Sequence, residues 1–265
     1  MIELKEIVRQ FPKELQKVEF HDQMLKEYLH HLMLQTLYTS KYSKKIHFLG
    51  GTALRFFYGI KRFSEDLDFD CYNLSREEFI IMTDEVVNSL HHYGFEVVCE
   101  DKAKYKDLNA FRRVLVFPEL KYKLGLSQHK EAKFFIKIET ESHHLEYNPD
   151  IKILNGFGIT VPVSVVPIDI IFSTKIAAAL TRKKDRDFFD VVHLLAFAEP
   201  NYEYLNNKFK INTPEMLKTE LIKAASNKKI SSRTAYDCEH MLFYKNDIQK
   251  LKMFNINIEN NNKLR

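Results

Sequence analysis

The chain has 265 residues, 45% of them hydrophobic and 29% charged, with a formal net charge of +4. That composition belongs to an ordinary globular protein with ample core and excludes a low-complexity chain. The three cysteines, Cys71, Cys99 and Cys238, lie far apart without a Cys-x-x-Cys pair, so they point to neither a zinc site nor a disulfide framework. A pI near 8.7 permits a nucleic-acid partner without requiring one. No N-terminal signal pattern and no apolar run long enough to span a bilayer are present, so the expected setting is cytoplasmic with reduced thiols.

Residues 1–45 read as helical. From Val18 to Tyr38 apolar positions recur at Leu25, Tyr28, Leu29 and Leu32, with Met33 and Leu37 widening the stripe. His21, His30 and His31 stand among charged residues, which predicts surface or boundary positions. A short apolar run, Ile46–Leu49, then reads as a strand broken at Gly50-Gly51. Thr52 opens a short helical segment, Ala53–Tyr58, and a basic turn, Lys61–Ser64, follows.

In the next strand carboxylates alternate with apolar residues: Asp66, Leu67, Asp68, Phe69, Asp70. Period two places the three aspartates on one face and Leu67 and Phe69 on the other. Carboxylates crowded on one face repel unless something positive sits between them. A hard divalent cation, Mg²⁺ (or Mn²⁺), suits oxygen donors and also takes substrate phosphates. Asp66 and Asp68 are the expected ligands, whereas Asp70 is expected to be solvated. Upstream, Gly50, Gly51 and Thr52 offer backbone N–H groups to a phosphate tail at a helix start. A phosphate cradle beside metal carboxylates is a layout for phosphoryl or nucleotidyl transfer.

Ser75-Arg-Glu-Glu78 is a capping box opening a helix that Gly94 stops. Phe95–Cys99, Phe111–Phe117 and Phe134–Ile138 read as strands, with Lys121–Lys133 a hairpin-like connection. A β-branched run, 159–166, is cut by Pro162 and Pro167 and is the expected linker. Residues 168–197 read as one helix, and Glu215–Ala225 and Thr234–Leu251 as two more. The Asn-rich end, 255–265, is expected to fray.

Gly-Gly-Thr followed by Arg-Phe-Ser-Glu-Asp-Leu-Asp-Phe resembles the signature of the polymerase-β-type nucleotidyltransferase superfamily and, more narrowly, the AbiEii/AbiGii toxin family. Lys175–Leu195 resembles that family's later block, a Lys followed by Arg-Asp-x-x-Asp; Lys175 matches the motif Lys and Asp190 the motif Asp. The resemblance spans roughly residues 46–195. It implies an α+β fold: an α/β nucleotidyltransferase core with a mixed sheet over 46–158, after a helical segment 1–45 and before a mainly helical domain 159–265, with the catalytic cleft between core and helical domain. It also implies a third carboxylate on a later strand, for which Glu139 is the candidate and Glu141 the alternative.

Thr52 and Ser64 would offer hydroxyls to the phosphates, and Arg62 a guanidinium able to bind them bidentately; Thr52 reads equally as a helix N-cap. Lys175 would place a charge on the triphosphate, and Asp190 would orient a cation or hold a nucleotide hydroxyl. On a single helix Lys175, Arg182 and Arg186 fall near one face, along which an RNA backbone could run. Arg55 and Lys183-Lys184 read as surface charge. The implied reaction moves a nucleoside monophosphate from an NTP to a hydroxyl and releases pyrophosphate. The implied acceptor is RNA such as a tRNA 3′ end, and the implied role is that of a toxin with a separately encoded antitoxin. The alternatives are a small-molecule or protein acceptor, and an idle module that only binds nucleotide or a partner.

Overall fold

Seven short strands rich in β-branched and aromatic residues make one mixed sheet in the computed structural model, which describes residues 2–100, 110–143 and 145–264. They are β1 (Ile46–Leu49), β2 (Leu67–Cys71), β3 (Val98–Glu100), β4 (Ala110–Val116), β5 (Phe135–Glu141), β6 (Asp150–Gly156) and β7 (Ile159–Val165), in the order β3-β4-β5-β2-β1-β7-β6. The central strand β2 runs antiparallel to β1 and parallel to β5. Its apolar positions Leu67 and Phe69 point into the core, where Phe69 meets Phe48 and Tyr38. Burying each such ring contributes roughly 2–3 kcal/mol.

Strand β5 alternates: Ile136 and Ile138 are buried, while Phe135, Lys137 and Glu139 face the other way. Against that sheet pack α2 (His21–Thr39) and α4 (Arg76–His92), the latter opened by the capping box of Ser75 and Glu78. Helix α3 (Gly50–Phe57) leaves β1 without an intervening loop.

The chain forms two compact units, one of Met1–Gly59 with Phe63–Val166 and one of Ile60–Arg62 with Pro167–Arg265. The second unit is helical: α6 (Ile168–Thr181), α7 (Asp185–Leu195), α8 (Tyr202–Phe209) and α9 (Pro214–Lys228), then short helical turns that include Phe254–Glu259.

Several expectations change. The run 159–166 is strand β7, not a linker; at Pro162 it pairs with β6, while its pairing with β1 is confined to Val165, so the missing proline N–H is tolerated. The stretch 168–197 is two helices, because Lys183 adopts a left-handed φ of +54° between them. Residues 234–251 form short turns instead of one helix, and 255–264 do not simply fray, since Ile258 and Leu264 are buried; residue 265 lies outside the described residues. Within 121–133 the chain makes a helical turn, Leu120–Lys123. Of the region read as strands between Phe95 and Thr140, residues 101–109 lie outside the described residues.

His30 and His31 are buried, contrary to the expected surface positions. His31 hydrogen-bonds the Glu27 carbonyl at 2.8 Å, packs on Phe56 and Phe157, and sits where a Cβ on Gly156 would approach its ring to 2.7 Å. Burial lowers the His31 pKa to about 4 and, with Lys26 nearby, that of His30 to about 3. Below pH 6.5 the unfolded chain therefore binds protons that the folded chain refuses. Stability should fall as pH drops from 6.5 toward 4, by roughly 3 kcal/mol for His31 alone. Urea unfolding from pH 7 to 4 should show that slope, and a His30→Gln/His31→Gln variant should flatten it.

Candidate active site

The β2–β5 register sets Asp68 beside Glu139, and Asp70 beside Glu141. Paired residues share a face, so the aspartates and the β5 glutamates line one polar side of the sheet. Asp66 ends up just before β2, where its backbone carbonyl accepts the Thr52 hydroxyl at 2.6 Å. Thr52 is thus neither N-cap nor solvent-facing: it is buried, and it ties α3 to the start of β2.

The backbone at Gly50 requires a glycine. Its φ is +81°, and a Cβ there would lie 2.2 Å from Asp68 Oδ2 and 2.8 Å from Asp68 Cβ. Backbone therefore reaches the Asp68 carboxylate at a distance that no side chain permits. Gly51 is buried at the first turn of α3, and Ser64 lies half-buried in the turn before Asp66.

Two cations to which the sequence reading gave no role occupy this face. Lys137 Nζ stands 3.3 Å from Asp66, and Arg112 of β4 grips Glu139 at 2.6 Å through Nε. Among the described residues no three His, Cys, Asp or Glu side chains form a metal-binding group. Glu139, the expected third carboxylate, stands beside Asp68 across β2 and β5 and is paired with Arg112. Lys137 was legible two residues before Glu139; Arg112 depended on the β4–β5 register, which pairs it with Glu139.

Asp70 is buried instead of solvated. It accepts the His143 N–H at 2.9 Å, the His143 ring Nδ1–H at 3.1 Å and the Tyr147 hydroxyl. Burial by itself would raise its pKa; these donors more than offset that and hold it below the ordinary carboxylate value.

In the second unit Asp190 is fully buried between two cations. Arg62 clamps both its oxygens at 2.7 Å, and Lys175 reaches it at 2.9 Å. Burial favours the protonated acid, but Arg62 and Lys175 outweigh it and keep Asp190 ionised, well below the usual range. The Arg62 guanidinium is thus committed to a carboxylate, and its expected role on a phosphate is replaced by this clamp. The single helix face of Lys175, Arg182 and Arg186 does not exist: the helix breaks after Thr181, and Arg182 instead forks onto buried Asp187 at 2.6 and 2.8 Å. Arg55, expected at the surface, forks onto buried Glu27 at 3.0 Å.

The sequence pattern of the family described as nucleotidyl transferase AbiEii toxin, type IV TA system, matches residues 31–234, most of the chain. The protein belongs to the AbiEii toxin family. It is accordingly a nucleotidyltransferase, and membership implies a nucleotide substrate and an antitoxin. Solved structures share the fold at low identity. MenT4, a nucleotidyltransferase toxin of Mycobacterium tuberculosis, is 15% identical with a TM-score of 0.57, over 98% of this chain and 90% of that one. JHP933 of Helicobacter pylori is 17% identical with a TM-score of 0.52, over 89% and 93%. No curated protein matches the chain. Among the described residues no helix of this AbiEii protein is long and apolar enough to cross a membrane.

Gly50→Ala should cost ~1–3 kcal/mol through left-handed strain and displacement of Asp68. Adding Asp68→Ala should recover part of that loss in chemical denaturation, because the carboxylate that meets the new Cβ is gone and only the contact with the residue-68 Cβ remains. For the buried cluster, Asp190→Asn should cost about 3–5 kcal/mol by stranding two cations. Lys175→Met should cost under about 1 kcal/mol, since it leaves the Arg62 fork intact; urea melts of both variants check the contrast.

Proposed function

We propose that this AbiEii protein transfers a nucleoside monophosphate from an NTP to a hydroxyl on RNA, such as a tRNA 3′ end, with release of pyrophosphate. One observation carries the reading: Asp68 lies against Gly50 at the start of α3 and beside Glu139 on the neighbouring strand. That arrangement supports carboxylates and backbone N–H groups acting together on a phosphate tail. Mg²⁺ or Mn²⁺ fits the hard oxygen donors: Asp66 and Asp68 would hold it, and Glu139, now paired with Arg112, would be the third carboxylate. When bound, the ion supplies positive charge for the phosphate oxygens and lowers the pKa of the acceptor hydroxyl.

Gly50 and Gly51 serve the phosphates through the backbone. Thr52 serves by fixing the Asp66 carbonyl, and Ser64 offers its hydroxyl nearby in the chain. Lys175 is the family's motif cation, and Asp190 orients it. The mildly basic pI accommodates an RNA acceptor.

Incubating the protein with each labelled NTP and total RNA should label tRNA-sized RNA in a divalent-dependent way. Asp66→Asn and Asp68→Asn should abolish the label while changing stability by less than about 1 kcal/mol, since the Asp66–Lys137 pair is partly exposed. Label on protein or a small metabolite, with RNA untouched, would overturn the RNA acceptor. Failure to bind nucleotide with Mg²⁺ would favour an idle binding module.

A further inference from the structure

Further along the same polar face lies a cavity of about 560 Å³ that none of the assigned roles uses. Its walls include His47, Asp70, Tyr72, Glu146 and Tyr147. Asp70 is the next same-face residue after Asp68, so the cavity starts about 7 Å from that carboxylate along β2. It also opens past the carboxyl end of β2, with Ser142 of its wall just beyond the carboxyl end of β5, the end at which parallel strands commonly present ligands.

The chemistry of the wall is selective. No described lining residue is a lysine or arginine, and burial lowers the His47 pKa, so these walls give a phosphate no cationic side chain of that kind. Three rings face it instead. Tyr72 is 75% exposed, an unusual position for a ring of that size unless something covers it. Tyr147 is pinned by its hydroxyl to Asp70 and stands edge-on to His47 at 5.7 Å. Asp70 spends its acceptors on His143 and Tyr147, whereas Glu146 is exposed at the wall. An aromatic slot with a carboxylate at its edge suits a flat ring that donates hydrogen bonds.

We propose that this cavity takes a nucleobase bearing an exocyclic amine, its ring stacked on Tyr72 and its amine donating to Glu146. The inference rests on the nucleotidyl-transfer reading, because the spacing from Asp68 is roughly the span from a nucleotide's reacting end to its base. A carboxylate accepts from the cytosine N4 amine and repels the uracil O4 carbonyl, which makes cytosine against uracil the sharp comparison. The base belongs either to the incoming NTP or to the last nucleotide of the acceptor, and binding measurements separate the two.

The full chain, with Tyr72→Ala and Glu146→Gln variants, is titrated with CTP and UTP and, separately, with short RNAs ending in cytidine or uridine. Both substituted residues are exposed, so the folds should persist, which circular dichroism confirms. Wild type should bind the cytosine ligand about tenfold more tightly than the uracil ligand, the effect of one charge-assisted hydrogen bond. Glu146→Gln should erase that ratio, and Tyr72→Ala should weaken both ligands by about tenfold or more through lost stacking. Effects confined to the triphosphates assign the cavity to the NTP; effects confined to the RNAs assign it to the acceptor. Unchanged affinities and an unchanged ratio in both variants, for both ligand sets, would overturn the proposal. Because binding is read directly, absence of transfer would count against the proposed reaction alone.

Discussion

Carboxylates set side by side on paired strands repel one another, and this first unit is arranged around that repulsion. Asp68, Asp70, Glu139 and Glu141 share one face of β2 and β5, and Asp66 stands just before β2. Each carboxylate whose partners are seen has its own neutralising device: Lys137 for Asp66, Arg112 for Glu139, the His143 and Tyr147 donors for Asp70. The two cation pairs are partly exposed and worth little in stability. Stability comes from the opposite face, where Phe48, Leu67, Phe69, Ile136 and Ile138 are buried. One face holds the apolar core and the other carries the charged pairs.

The second unit solves a different electrostatic problem. Asp190 carries its charge with no exposure to water, which is sustainable only because Arg62 and Lys175 surround it. Arg62 is itself buried and belongs to a three-residue stretch, Ile60–Arg62, drawn from the middle of the motif into this unit. A β-bridge from Arg62 to Leu242 and the Phe243 N–H donated to the Lys61 carbonyl at 3.1 Å fasten that stretch. A motif arginine that would serve on phosphate if exposed thus serves as a structural counter-ion. Lys175 is the more exchangeable partner, because Arg62 alone still occupies both oxygens of Asp190.

Local chemistry decided what was readable along the chain. The strand Ile46–Leu49, the alternation Asp66–Asp70, the Ser75–Glu78 capping box and the family's two motifs depend on neighbours within a few residues, and the family and fold follow from them. Features that depend on distant partners were not readable. Period two put Asp66, Asp68 and Asp70 on one face, yet only the register with β5 and the loop after it decided that Asp70 is buried under His143 and Tyr147. Burial of His31 required the β6–β7 turn at Gly156 and Phe157 to close over it. The break at Lys183 needed left-handed backbone at a residue with no glycine to announce it, and it destroyed the helix face on which Lys175, Arg182 and Arg186 would have aligned. By itself the sequence determined which residue types stand at which spacing, and so the chemistry available. Which cation neutralises which carboxylate was decided by tertiary structure alone, because charge pairing across 27 residues for Arg112 and Glu139, or 128 for Arg62 and Asp190, is set by strand register and chain closure and leaves no local trace.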